Sequence, residues 1–107
     1  MAFKINARPE FTRTVTIIVP QGDGEVEETL LATFRVTARG DRNLARSDHM
    51  TEFLTEAIVK LDDVVDEHDK PIYSTPELIA GVLAMDNARL ALMRTYSEAV
   101  TQLKLGN

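Results

Sequence analysis

Six of the eight residues from Asp62 to Asp69 carry side chains that can bind ions or move protons: Asp62, Asp63, Asp66, Glu67, His68 and Asp69. Carboxylates at this density invite a calcium reading. An EF-hand loop sets oxygen ligands at alternate positions, with Gly at the sixth and Glu at the twelfth. Counted from Asp62, the third position is Val64 and the sixth is Glu67; counted from Asp66, the sixth is Pro71. The pattern fails from either start. His68 with Asp66 and Asp69 would offer a metal ion three donors, but all three share one turn with no distant fourth ligand. The segment reads as a solvated acidic hairpin, and no metal or other cofactor is expected.

Nucleophilic catalysis needs a hydroxyl or thiol beside a base, with a third group to orient that base. The chain has no Cys, which also excludes disulfides and Cys-ligated zinc. Ser47, Ser74 and Ser97 fall where helix caps or helix surfaces account for them. Gly22-Asp23-Gly24 lacks the third glycine and the following helix that a phosphate cradle requires. His49 precedes an apolar stripe and reads as a first-turn surface residue. An enzyme is not expected. Tyr96 lies on an apolar stripe, where it serves as a core ring with its hydroxyl at the rim or else as an interface anchor.

Charge is divided unevenly. Residues 1–46 hold six acidic and seven basic side chains, and residues 47–107 hold eleven and five, so a net of +1 faces a net of −6. An acidic half argues against nucleic acid, whose affinity rests on neutralised phosphates. Arg35, Arg39, Arg42 and Arg46 cluster, but without interleaved aromatics they point to a solvated loop or a protein contact. No apolar run approaches the ~20 residues of a membrane span. The first residues lack the apolar core of a secretory signal, so a cytoplasmic location is expected.

The elements that must position these groups follow from periodicity. Phe11, Val15, Ile17 and Val19 alternate with Thr12, Thr14 and Thr16, the period of a half-buried strand. After Pro20–Gly24, Leu30, Ala32, Phe34 and Val36 alternate with Thr29, Thr33, Arg35 and Thr37. Together they predict an antiparallel hairpin, joined by Phe3 and Ile5 as a short third strand. Ile18 and Leu31 fall on its polar face and predict an aliphatic spot there. Gly40–Ser47 reads as a mobile connector. Met50, Phe53, Leu54, Ala57, Ile58 and Leu61 then form one helical stripe, capped by Ser47 or Asp48. A second helix is predicted over about 76–84, opened by Ser74-Thr75-Pro76-Glu77, with Gly81 inside it. A third covers about 87–103, with Asp86 as its cap and Arg89, Leu92, Met93, Tyr96, Val100 and Leu103 on one face. The fold class is α+β in a single domain: a β part over 1–40, an antiparallel hairpin or small sheet, packed on three helices in a helical part over 47–105.

The passage LDDVVDEHDKPIYSTPELIAGVL, Leu61 to Leu83, is followed by Asn87-Ala88-Arg89-Leu90 and Arg94-Thr95-Tyr96. It resembles the small tail assembly chaperones of long-tailed bacteriophages. There a Trp, a Val-Val-Asp-Glu-Asp-Gly run, a proline and an aromatic-Ser pair commonly precede the last helices. Leu61 stands where that family often has Trp, and His68-Asp69-Lys70 replaces the Asp-Gly of the turn. The resemblance implies a protein that coats the tape-measure protein, keeps it soluble and helps the tail tube protein polymerise around it. It implies action in the cytoplasm of the bacterial host and absence from the mature virion. A second reading is a tail completion or connector subunit that stays in the particle. Such chaperones are often made in two forms by ribosomal slippage, and Leu105-Gly106-Asn107 can be written with a slippery heptamer.

The residues expected to face partners are Ile18 and Leu31 on the sheet, Tyr96 on the last helix, and two charged groups. Arg39, Arg42 and Arg46 form one, and Asp62, Asp63, Asp66 and Asp69 the other. Opposite charge in two separate loops predicts weak self-association through unlike surfaces.

Overall fold

The structure, a computed structural model, describes residues 1–5 and 8–104. The alternating β-branched residues form a long antiparallel hairpin of β1 (Glu10–Gln21) and β2 (Gly24–Arg35). Its register runs from Glu10 opposite Arg35 to Gln21 opposite Gly24. Only Gly22 and Asp23 connect the strands. Gly22, at φ +60°, supplies the left-handed first position that a turn matched to strand twist requires. Pro20 is tolerated because β1 is an edge strand.

The third strand is not the one expected from sequence. Phe3 and Ile5 stay outside the sheet, and β3 (Ile58–Asp62) takes the place beside β2. The first helix, α1 (Ser47–Ala57), therefore ends at Ala57 instead of carrying its stripe to Leu61. Ile58 and Leu61 are buried all the same. The register gives the reason: Phe34 pairs with Ile58 and Thr33 with Lys60, leaving Val59 as an extra residue. Residues three apart in a regular strand point to opposite faces; one bulge returns both to the same face. The bulged strand thus reproduces the i, i+3 spacing of a helix.

Next come a small hairpin, β4 (Val64–Val65) and β5 (Pro71–Ile72), then α2 (Pro76–Leu83) and α3 (Asp86–Lys104). The cap of α2 is as the sequence predicts, since Thr75 Oγ1 accepts the Leu78 N–H at 3.1 Å with Pro76 in the first turn. Ser74 is engaged elsewhere. Its hydroxyl accepts the N–H of Leu61 at 3.0 Å, tying the exit of β5 to β3. Neither Ser47 nor Asp48 caps α1. Arg46 is the N-cap residue, without a side-chain cap, and its guanidinium holds Asp48. Asp86 likewise lies inside the first turn of α3 and accepts from Arg89 at 2.6 Å.

The helices cover the inner face of the sheet. Val15, Ala32 and Phe34 meet Leu54, Leu83 and Leu92 in the buried core. The buried face of α3 differs in part from the predicted one. Leu103 is exposed and Arg89 only half-buried, while Ala88, Ala91 and Ala99 complete the face. Phe11, Phe34, Phe53 and Tyr96 form a ring cluster with centroids 5.2 to 5.9 Å apart. The Tyr96 hydroxyl accepts the Thr37 N–H at 3.0 Å and donates to the Thr37 carbonyl at 3.2 Å, pinning the end of β2 to α3. Leu105 to Asn107, with the end of the predicted helical part and the slippage tripeptide, lie outside the described residues.

Candidate functional site

The β1–β2 hairpin is longer than the layer of helices that covers it. From Gly24 to Thr29 every β2 residue is exposed, so the distal half is an arm reaching past the core. A groove of about 740 Å³ lies between this arm and the β4–β5 hairpin. The arm contributes Ile17 and Val19, β4 contributes Val64 and Val65, and the α2–α3 junction contributes Val82 and Met85. Five carboxylates also line it, those of Glu28, Asp63, Asp66, Glu67 and Asp69, and none of its lining residues is Lys or Arg. An apolar floor with an acidic rim suits a ligand of the opposite pattern, an apolar stripe flanked by cations.

The rim is built by local backbone chemistry. Asp66 Oδ1 accepts the N–H groups of His68 at 2.8 Å and Lys70 at 3.0 Å, and the Asp66 N–H donates to the Lys70 carbonyl. One carboxylate thereby closes the turn. Asp63 and Asp69 sit at φ +61° and +62°, the left-handed region that Asp enters more readily than most residues. Among the described residues, no three His, Asp or Glu side chains converge so as to hold a metal ion.

Three of the four predicted acidic residues, Asp63, Asp66 and Asp69, therefore belong to one groove. Asp62 does not; its carboxylate lies 3.4 Å from the Lys60 ammonium. The arginines are placed otherwise. Arg42 donates to Glu52 at 3.0 Å and to Glu56, and its guanidinium lies over the Phe53 ring at 5.8 Å from the centroid. Those hydrogen bonds, first to Glu56 and then to Glu52, push the Arg42 pKa up, and the bond from Arg42 pulls the Glu56 carboxyl below its usual range. Arg46 does the same to Asp48. Arg39 lines a smaller hollow of about 340 Å³ beside Arg42 and His49.

The connector predicted to be mobile is held at several points. The Asn43 N–H donates to His49 Nδ1 at 2.9 Å, and Leu44 packs against the core. Ile18 and Leu31 share the outer face of the sheet but not a spot. Ile18 pairs with Glu27 and Leu31 with Thr14, so four positions along β1, ~13 Å, divide them. Tyr96 is 5% exposed and serves the core instead of a partner-facing surface.

Sequence reading missed Ile17, Val19, Glu28, Val82 and Met85 as parts of one site. One signal was present: Glu28 occupies the inward phase of β2, in step with Leu30, Ala32 and Phe34. A carboxylate in the inward phase marks where the strand has outrun its core.

No helix among the described residues is long and apolar enough to cross a membrane. No family model, curated protein or solved structure matches the chain.

Proposed function

We propose that this protein is a phage tail assembly chaperone whose groove takes an amphipathic helix of the tape-measure protein. The observation that carries this reading is the groove's chemistry: an apolar floor whose only charged lining residues are carboxylates. A long helical client exposes apolar stripes that associate nonspecifically in water. Seating the stripe in the groove withdraws it from solvent, and the Asp63, Asp66, Glu67 and Asp69 carboxylates meet its flanking Lys and Arg residues. The surplus negative charge keeps coated clients apart. Release when the tail tube protein polymerises requires only modest affinity, which a groove of this size supports.

The test is a titration of isotope-labelled protein with peptides tiling the tape-measure protein of the phage or prophage that carries the gene. The expected result is shifts centred on Val65, Val82 and Met85, with binding weakened by Val65→Lys with Met85→Lys. Absence of binding by every peptide, or binding that ignores the double substitution, overturns the reading. A virion protein would also be retained in purified particles; the chaperone should be missing from them.

A further inference from the structure

Residues 1 to 5, Met-Ala-Phe-Lys-Ile, have the pattern that the groove lacks. Phe3 and Ile5 are 87% and 82% exposed, and Met1 is fully exposed. Lys4 lies between them, and no carboxylate occurs before Glu10. From these observations we infer that the groove of one copy takes residues 1–5 of a second copy.

Apolar side chains left in water gain by any contact that covers them, so the segment needs a cover. Its own groove cannot take the whole segment. The Pro9 carbonyl accepts the Val36 N–H at 2.9 Å, which fixes the start of β1 at the end of the sheet away from the groove. Ile5 lies four steps from Pro9, at most ~14 Å of chain, and Phe3 six steps, at most ~22 Å. Ile17, the first groove residue on β1, lies eight steps along the strand from Pro9, ~27 Å away. Leu30, the nearest groove residue on β2, lies opposite Val15, six steps from Pro9 and ~20 Å away, still beyond Ile5. Phe3 and Ile5 therefore cannot both seat in the groove of their own chain, and a second copy can supply both.

Charge is compatible with the same partner. Two of the three loop arginines expected to meet the acidic hairpin are engaged within the chain, Arg42 with Glu52 and Glu56 and Arg46 with Asp48, which leaves Arg39. Lys4 makes no ion pair among the described residues. In an extended segment Phe3 and Ile5 share one face and Lys4 the other. Phe3 and Ile5 then enter the floor over Val65 and Met85, and the Lys4 ammonium comes to the rim at Asp66 and Asp69. The contact joins unlike surfaces, so each copy keeps a free segment and a free groove for the next. The product is an open chain or a ring of copies and not a two-fold dimer. This inference does not depend on the tape-measure reading, since it concerns only copies of this chain.

Sedimentation at low salt over a range of protein concentration tests it. The wild type should associate with concentration, less so as salt shortens the reach of charge. Phe3→Asp with Ile5→Asp breaks the segment, and Val65→Lys with Met85→Lys breaks the groove; all four sites are exposed, so thermal melts should match the wild type. Each double variant alone should associate at least ~10-fold more weakly, since two apolar side chains lose their cover. Mixed in equal amounts, the two variants retain one intact segment and one intact groove between them, and should form a pair of copies and nothing larger. A wild type that stays monomeric, a segment variant that associates normally, or a mixture that stays monomeric overturns the inference. The segment variant keeps its groove, so its binding of tape-measure peptides reports on the proposed function separately.

Discussion

The two ends of the sheet are built on opposite terms. At the end where β1 begins, aromatic rings fill the interior and Arg8, Arg42 and Arg46 find carboxylates within the chain. Tyr96 holds both polar groups of the Thr37 backbone, and Arg42 binds two glutamates while lying over Phe53. At the other end, valines and a methionine are left at the surface, five carboxylates share a groove without a lining cation, and two aspartates take left-handed backbone. The first end is closed and the second open. A net charge counted along a sequence says little about availability: the arginine group has three members and the aspartate group four over spans of equal length, yet two of the three arginines are engaged with carboxylates of the same chain.

The comparison can be broken most forcefully at the closed end. Phe53 is 2% exposed and touches the Tyr96 ring edge-on, with centroids 5.2 Å apart. Phe53→Ala removes that ring and leaves a cavity under Arg42, which should cost ~3–5 kcal/mol. That is a large part of the stability of a domain this small. Urea denaturation measures it. A cost below ~1 kcal/mol would mean that the ring cluster does not close this end.

Tyr96→Phe removes less and asks a narrower question. The ring stays, but the buried Thr37 N–H loses its acceptor and the Thr37 carbonyl its donor. A buried polar group left unpaired costs ~1–3 kcal/mol. Amide exchange at Thr37 should accelerate as the overall stability falls. Unchanged exchange would show that water replaces the phenol at no cost.

At the open end Asp69→Gly should act in the other direction. Asp69 sits at φ +62°, and its carboxylate makes no hydrogen bond or ion pair among the described residues. Glycine adopts this backbone without strain but gains freedom when unfolded, so the net change is bounded at ~1 kcal/mol and should favour the folded state. A clear loss in the thermal melt would mean that the carboxylate, and not the turn, is what this position requires.

These residues also show where the sequence was legible. The long hairpin could be read because its β-branched residues alternate without a break, and the cap of α2 because Thr75-Pro76 is a local signal. The end of α1 could not be read, because one bulge at Val59 gives a strand the spacing of a helix. Phe3 and Ile5 alternate as a strand would, and only the competition of Ile58–Asp62 for the edge of β2 excludes them. Three of the four predicted aspartates stand in the groove, whereas Ile17, Val19, Glu28 and Met85 join it through pairings remote in sequence. Tyr96 read both as a core ring and as a partner-facing residue; its burial gives the first, and its partner at Thr37, 59 positions away, was not legible.

The smallest expected effect concerns the Arg42 contacts at the closed end. The hydrogen bond from Arg42 holds the Glu56 carboxyl below its usual range, with the charge of Arg42 and then of Arg8 adding to the effect. A carboxylate with a depressed folded-state pKa stabilises the fold above its unfolded pKa, and the contribution fades as pH falls through the folded value. Glu56→Gln should therefore be slightly less stable than the wild type at pH 7, and the two should converge once the pH falls below the carboxylate range. Glu52 still holds Arg42 at 3.0 Å in the variant, and both side chains are partly in water, so the gap is small even at pH 7. Urea midpoints at pH 7 and at pH 3 measure it. Convergence assigns the difference to ionised Glu56. A gap of equal size at both pH values would place it in packing around Phe53, and the closed end would then rest on its rings alone.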